Sequence, residues 1–269
     1  MPVLTSEILT RKRSYQVLGI DISDYSREEF LQLIEERLQA PAEEVAPIFV
    51  VTVNPEIVVQ SIIDNEFKQI LAASSINTAD GIGISWAINF LYGQPVGRIT
   101  GSDSMQQICR ICSRHEQPVF LYGAAPTIAE RAAKVLQRTV DGLKVAGVYS
   151  PEDSTIPLED LPEEIQKEMK HASVIFVALG APGQEKWIYH NMRKLPECKL
   201  FIGIGGTFDF VAGTVKRAPG WMCKSGLEWL YRLYMQPSRW RRMLKLPLFA
   251  LNVMLLKSST KVNQKVLKV

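Results

Sequence analysis

Three arginines near the end of the 269-residue chain, Arg232, Arg239 and Arg242, follow a glycine-dense run from Gly203 to Met222. Glycines permit close backbone approach and guanidiniums grip phosphate oxygens in pairs, so the juxtaposition has the chemistry of a diphosphate site. Spacings of seven and three residues place the arginines on one face of a continuous helix. Pro237 interrupts that continuity, so the face can instead be assembled across a bend. A solvated basic helix with its aromatic side on the core accounts for the same residues equally well.

The matching acid or base is sought among carboxylates in glycine-rich loops. Asp80 stands at a strand-to-helix junction, next to Gly81 and Gly83, which remove steric cover and let the carboxylate face a ligand. The other reading is an N-cap for a helix over Ile82 to Leu91, a position aspartate suits; the two are compatible. Gly81-Ile-Gly83 and Gly203-Ile-Gly205 open like dinucleotide fingerprints, but Trp86 and Phe208 stand where the third glycine belongs. Arg98-Ile-Thr-Gly-Ser-Asp103 puts a glycine turn between a base and an acid ahead of a helix, suited to phosphate or sugar contacts or to a capped turn. Gln184, Glu185 and Trp187 follow Gly180 and Pro182, and a Gln amide can donate to a sugar or phosphate oxygen.

No metal site is expected. The chain has no Asp-x-Asp, and His115, His171 and His190 fall at scattered helical positions. Cys109 and Cys112 have ligand spacing without a second pair, so they read as two thiols one helical turn apart. A departing nucleotide diphosphate would then be neutralised by side chains and helix N-termini.

These residues need a scaffold. Short β-branched runs alternate with amphipathic stretches: Tyr15 to Ile22 before Arg27 to Leu38, Ile48 to Val53 before Pro55 to Ala72, Val119 to Tyr122 before Ile128 to Leu136. The pattern continues through Lys144 to Tyr149, Leu161 to Met169, Ser173 to Ala178, Gln184 to Leu195 and Lys199 to Ile204. Strands apolar on both faces predict an α/β fold with a mainly parallel, doubly wound sheet flanked by helices. Ligands in such sheets lie beyond the carboxyl ends of the strands. Five loops are expected to line one crevice there, at Thr52 to Glu56, Thr78 to Gly83, Gly123 to Pro126, Gly180 to Glu185 and Gly203 to Gly206.

Charge divides the chain. Residues 213–269 hold 12 of the 31 Lys and Arg but one of the 28 Asp and Glu, so a tail of +11 follows a body of −8. A basic tail on an acidic body points to an anionic partner. No recognisable reading module accompanies it, so nucleic acid is not an expected partner. The residues from Lys224 onward read as a helical appendage (224–269) on a core of 1–223. Its Leu246 to Leu256 stretch is about half of what spans a bilayer and suits a helix lying in an interface. Met1 to Gln16 lacks the apolar region of a leader, and four cysteines are too few for a disulfide scaffold, so a cytoplasmic protein is expected.

Taken together, the motifs resemble the WecG/TagA/CpsF family of bacterial glycosyltransferases, family 26 of the sugar transferases. Those that carry the resemblance are Thr52-x-Asn54-x-Glu56, Ala79-Asp80-Gly81-x-Gly83, Arg98-x-x-Gly101-x-Asp103, Gly180-x-Pro182-x-Gln184-Glu185-x-Trp187, Gly205-Gly206-x-Phe208-Asp209-Phe210, Arg217-Ala218-Pro219-x-Trp221 and Gly226 to Arg232. The resemblance implies a Rossmann-like core and an inverting transferase that needs neither metal nor cofactor. It implies transfer of N-acetylmannosamine, or its uronic acid, from UDP to N-acetylglucosamine on a polyprenyl-diphosphate lipid, in synthesis of envelope polysaccharide or teichoic acid. Another UDP-sugar such as glucose, or a non-catalytic nucleotide-sugar binding module, remain the competing readings.

By the same resemblance Asp80 is the general base. Thr52, Asn54, Arg98, Asp103, Gln184, Gly205, Gly206 and Asp209 are substrate-binding, and Arg232, Arg239 and Arg242 clamp the diphosphate. The appendage is expected to dock peripherally on the inner, anionic face of the cell membrane and to convert a homo-oligomer into an active monomer. One departure is visible: Met235-Gln236-Pro237 stands where many members have Glu-Pro, so a charge is lost.

Overall fold

The computed structural model describes residues 13–266. The stretch read for a leader up to residue 12 and the last three residues of the appendage lie outside the described residues. The first strands, β1 (Ser14–Val17) and β2 (Ile20–Ser23), form an antiparallel hairpin. The sequence reading of one strand over Tyr15 to Ile22 is therefore corrected. Leu18 and Gly19 both take positive φ (51° and 86°), the geometry of a two-residue hairpin turn.

The remaining strands are β3 (Ile48–Val53), β4 (Ile76–Ala79), β5 (Val119–Gly123), β6 (Val145–Tyr149), β7 (Val174–Ala178) and β8 (Leu200–Gly203). They form one parallel sheet of six strands in the order β4-β3-β8-β7-β5-β6. Alternation sorts their side chains onto two apolar layers, because successive residues of a strand point to opposite faces. Phe49, Val51, Val53, Ile175 and Val177 pack on one face, and Ile48, Val50, Val174 and Phe176 on the other.

The second of these layers is covered by α1 (Arg27–Gln39), α5 (Gly101–Arg114), α6 (Pro126–Thr139) and the short α9 (Thr207–Val211). The first is covered by α2 (Pro55–Ile63), α3 (Asn65–Ala73), α4 (Ile82–Tyr92) and α8 (Gly183–Asn191), with α7 (Glu163–Lys170) near the β6 edge. The expected single helix over Pro55 to Ala72 is two. Asp64 ends α2 and its side chain accepts from Phe67 N at 2.9 Å to cap α3, so one residue stops one helix and starts the next.

The C-terminal segment continues through α10 (Gly220–Lys224), α11 (Glu228–Met235), a 3-10 turn at Pro237–Arg239, α12 (Trp240–Met243) and α13 (Lys245–Val266). Helix α13 packs against α2 and α4, and Phe249 and Val253 are sealed in the same apolar layer as Ile57 and Ile84. Among the described residues no helix is long and apolar enough to cross a membrane. Because Phe249 is 2% exposed, Phe249→Ala is expected to destabilise the protein by about 3 kcal/mol, seen as a lower urea midpoint in a single transition. A loss below about 1 kcal/mol would mean that α13 is not docked in solution.

Candidate active site

The carboxyl ends of β3 and β4 open into a cavity of about 320 Å³, at the lower end of the range for small-molecule sites. Its floor begins with Asp80, whose N–H extends the ladder by donating to Val53 O at 2.8 Å. Gly81 follows with φ 86°, a conformation open to glycine, and turns the chain into α4 without a side-chain cap. Asp80 therefore does not cap that helix, and its carboxylate meets the cavity. The N–H of Gly101 donates to it, since the 98–101 segment is pinned alongside β4 by Ile99 N to Ala79 O (3.0 Å) and Thr78 Oγ1 to Ile99 O (3.1 Å). The same pinning brings Arg98, Thr100 and Ser102 to the rim.

Burial drives the Asp80 carboxyl up to about 7. Arg232 opposes that rise, Glu228 adds to it, the Gly101 N–H opposes it and Asp103 adds to it. An ordinary aspartate is a weak base near pH 7; one raised to about 7 has the match of basicity and charge state that proton transfer favours.

Arg232, on α11, lies across the cavity with its guanidinium carbon 4.3 Å from the centre of the Phe210 ring and its Nε buried without a hydrogen-bond partner. Arg239 also lines the cavity, and its buried Nε likewise has no partner. Burial, then the neighbouring Arg242 and Arg232, hold Arg239 down at about 10. The chain bends at Pro237, so Arg232 and Arg239 come from separate elements. Gln236, the uncharged residue before Pro237, accepts from Arg239 Nη1 at 3.2 Å without cancelling its charge. Arg242 does not line the cavity; its Nε pairs with Glu56 Oε2 at 2.7 Å and ties α12 to the start of α2. Two crowded cations with unused donors form a site for an anion.

The other anticipated residues stand around this centre in different ways. Asn54 lines the cavity and caps α2, accepting from Ile57 N at 3.1 Å. Thr52 lies beneath it, donating to Gly203 O at 3.1 Å and joining the ends of β3 and β8. Gln184 is buried; its carbonyl accepts from Gly205 N at 3.0 Å and its amide donates to Glu185 Oε1 at 2.6 Å. Burial raises the Glu185 carboxyl to about 7, with the Gln184 contact opposing. Gly206 precedes α9, and the Asp209 backbone carbonyl accepts from Thr214 N at 3.0 Å. Asp103 bonds Arg217 at 2.6 Å and lies 3.6 Å from Arg27. Thr100, not Asp103, caps α5.

The expectation of five loops around one crevice is corrected: only Thr52 to Glu56 and Thr78 to Gly83 contribute lining residues. The loops after β5, β7 and β8 lie at the same carboxyl end of the parallel sheet, but the C-terminal helices close over the β3–β4 side. Gly226 makes that closure possible. It has φ 74°, and a Cβ there would lie 2.7 Å from the Ile82 side chain. Glu228 was not anticipated; it lines the cavity and its Oε1 lies 3.7 Å from Arg217 Nε. Its place four residues before Arg232 on α11 was the available signal. Trp86 and Trp229, also unanticipated, form part of an apolar wall. Among the described residues no three His, Cys, Asp or Glu side chains converge to hold a metal ion.

The parallel sheet thus carries, at the ends of two adjacent strands, a carboxylate of raised basicity in one cavity with two arginines whose buried Nε atoms lack partners, an arrangement that can combine proton transfer with the binding of an anion. The chain belongs to the WecG/TagA/CpsF glycosyl transferase family, whose profile matches residues 15–263, and it is a glycosyltransferase. It is 36% identical over 208 residues, 76% of this chain and 77% of the other, to an N-acetylglucosaminyldiphosphoundecaprenol N-acetyl-beta-D-mannosaminyltransferase of Bacillus subtilis (strain 168). A protein of the same name from Staphylococcus aureus (strain MRSA252) is 30% identical over 247 residues, 91% of this chain and 94% of the other.

Proposed function

We propose that this glycosyltransferase moves N-acetylmannosamine from UDP to N-acetylglucosamine carried on a polyprenyl diphosphate, in the synthesis of a bacterial envelope polymer. The observation that carries the proposal is Asp80 facing Arg232 and Arg239 across one cavity, and the relatives named above act on that lipid-linked acceptor. Asp80 takes the proton of the acceptor hydroxyl as its oxygen attacks the anomeric carbon. The bond from that carbon to the diphosphate breaks on the opposite face, and the arginines receive the charge left on UDP. Inversion follows from a single displacement, and the guanidiniums do the work that a divalent cation does elsewhere.

Asn54 and Arg98 would contact substrate at the rim. Thr52, Gln184, Gly205, Gly206 and Asp209 would act from below by holding the ends of β3 and β8, and Asp103 by anchoring Arg217. A panel of UDP-sugars, including N-acetylmannosaminuronic acid and glucose, against a lipid-linked N-acetylglucosamine acceptor in excess EDTA tests the scheme. Full activity with UDP-N-acetylmannosamine is expected. Strict dependence on added Mg²⁺ or Mn²⁺ would refute the metal-free step.

An acceptor held on a membrane lipid would bring the enzyme to the inner face of the membrane. Leu244, Leu248, Leu251 and Leu255 recur at helical spacing as an exposed apolar stripe along the α12–α13 segment, with Trp240 and Arg241 exposed beside it. The stripe fits an anionic bilayer surface, and in its absence a second copy of the chain. Sedimentation with vesicles containing phosphatidylglycerol should be lost when Leu248 and Leu251 become Glu. Retention at wild-type level would put the anchor elsewhere.

A further inference from the structure

Two chemically different sets of residues line the cavity. One is polar and includes Asp80, Arg232 and Arg239. The other is an apolar wall of Ile82, Trp86, Trp229, Met243, Leu246 and Phe249, contributed by α4, α11, α12 and α13. A sugar nucleotide is polar or ionic along most of its length and leaves such a wall uncovered, and Trp86 and Trp229 are 37% and 39% exposed. Keeping large aromatic surface in contact with water inside a binding cavity is unfavourable and marks surface that a ligand covers.

The wall also has a direction. The Trp86 ring stacks on Phe90 one turn further along α4, with centroids 5.4 Å apart and planes inclined by 15°. Lys257, on α13, sits over the other ring of this pair, 4.1 Å from the Phe90 centroid, and bonds the Phe90 carbonyl. Helix α13 thus lies beside the aromatic pair. Its inner face supplies Leu246, Phe249 and Ala250 to the cavity, and its outer face carries the exposed leucines. A ligand with a charged diphosphate head and a hydrocarbon tail matches this combination of a charged set, an apolar wall and an exposed apolar helix face.

We propose that Trp86, together with Leu246 and Ala250 of α13, seats the first isoprene units of the polyprenyl diphosphate acceptor, from which the chain passes over the start of α13 to its exposed leucines. The inference rests on the acceptor assigned above and adds the residues that recognise its lipid. The wall makes the enzyme read hydrocarbon next to the diphosphate, so acceptors are selected by the lipid as well as by the sugar.

Equilibrium binding of farnesyl diphosphate and of UDP to the full chain, to Trp86→Ala and to Ala250→Phe tests it. The first variant removes the wall and the second fills the space before it, so the two do not share a folding defect. Farnesyl diphosphate should bind about tenfold more weakly to each variant, as expected for losing a few tens of Å² of apolar contact, while UDP binding stays within about twofold. Three outcomes overturn the proposal: no binding of farnesyl diphosphate to the unaltered chain, equal binding to all three proteins, or UDP weakened as much as farnesyl diphosphate. The last would assign the wall to the uracil ring. Because the measurement needs no sugar transfer, its failure is distinct from a negative result in the donor panel.

Discussion

Asp80→Asn is expected to lower turnover by about 10²- to 10⁴-fold, the usual worth of a positioned general base, with donor binding almost unchanged. The substitution keeps size and polarity but cannot accept the hydroxyl proton. The carboxyl stands at about 7 because burial outweighs the attraction of Arg232. The base is active only when ionised, so kcat/KM, which reports the free enzyme, should fall about tenfold per pH unit below about 7 and level off above it. In the Asn variant that limb should vanish. An unchanged turnover, or a profile whose acid limb survives the substitution, would remove Asp80 from the role.

The same shift has a consequence for stability, of opposite sign. A folded-state value near 7 lies above that of an unfolded aspartate, so the native protein holds the proton more tightly. The protein therefore loses stability as pH climbs from about 4 to about 7, by at most about 4 kcal/mol for a fully desolvated group and by less here, because Asp80 keeps some open surface. Asn at position 80 escapes that loss. It should raise the melting temperature at pH 8 and leave it unchanged at pH 4, so an inactive variant that is also more stable at alkaline pH is the expected pairing.

Replacing Arg232 and Arg239 together by Ala should abolish measurable transfer. Each well-placed donor to a developing charge is worth about 3 kcal/mol in a dry site, or about 10²-fold in rate, and the two act on one group so their effects need not add. Arg232→Ala alone carries a second signature. Arg232 is the strongest influence holding the Asp80 carboxyl down, so its loss should move the acid limb of the rate profile to higher pH. Arg239→Ala should weaken binding of UDP with a smaller change in that limb. Arg232→Ala with a full rate loss and an unmoved limb would mean that the guanidinium does not face Asp80 during catalysis.

The sheet was legible because its strands are apolar on both faces, which leaves few other structures for runs such as Val174 to Ala178. Local exceptions were not. The Leu18-Gly19 turn occupies two residues inside a continuous β-branched run, and Asp64 interrupts two helices whose apolar periods nearly join. Asp80 was visible as a carboxylate at a glycine-flanked junction. Its basicity was not, because the burial that raises it, and the opposing Arg232 and reinforcing Glu228 charges that adjust it, exist only once residues about 150 positions further along the chain have folded over the end of β4. The arginine spacing pointed to one face, yet only Arg232 and Arg239 reach the cavity while Arg242 is taken by Glu56. Trp86 is marked in the sequence only as the residue that breaks a glycine fingerprint, because its place in the cavity wall depends on α11 and α13.

The cavity takes its floor from β3 and β4 and its far wall from residues 226–250. During synthesis on the ribosome, the sheet can therefore form well before the site has a roof. A nascent chain therefore lacks the far wall of the cavity, and both of its arginines, until that stretch has emerged. After a cut between Gly226 and Arg232, the arginines would be held beside the Asp80 loop by the packing of α13 and the Arg242–Glu56 pair alone.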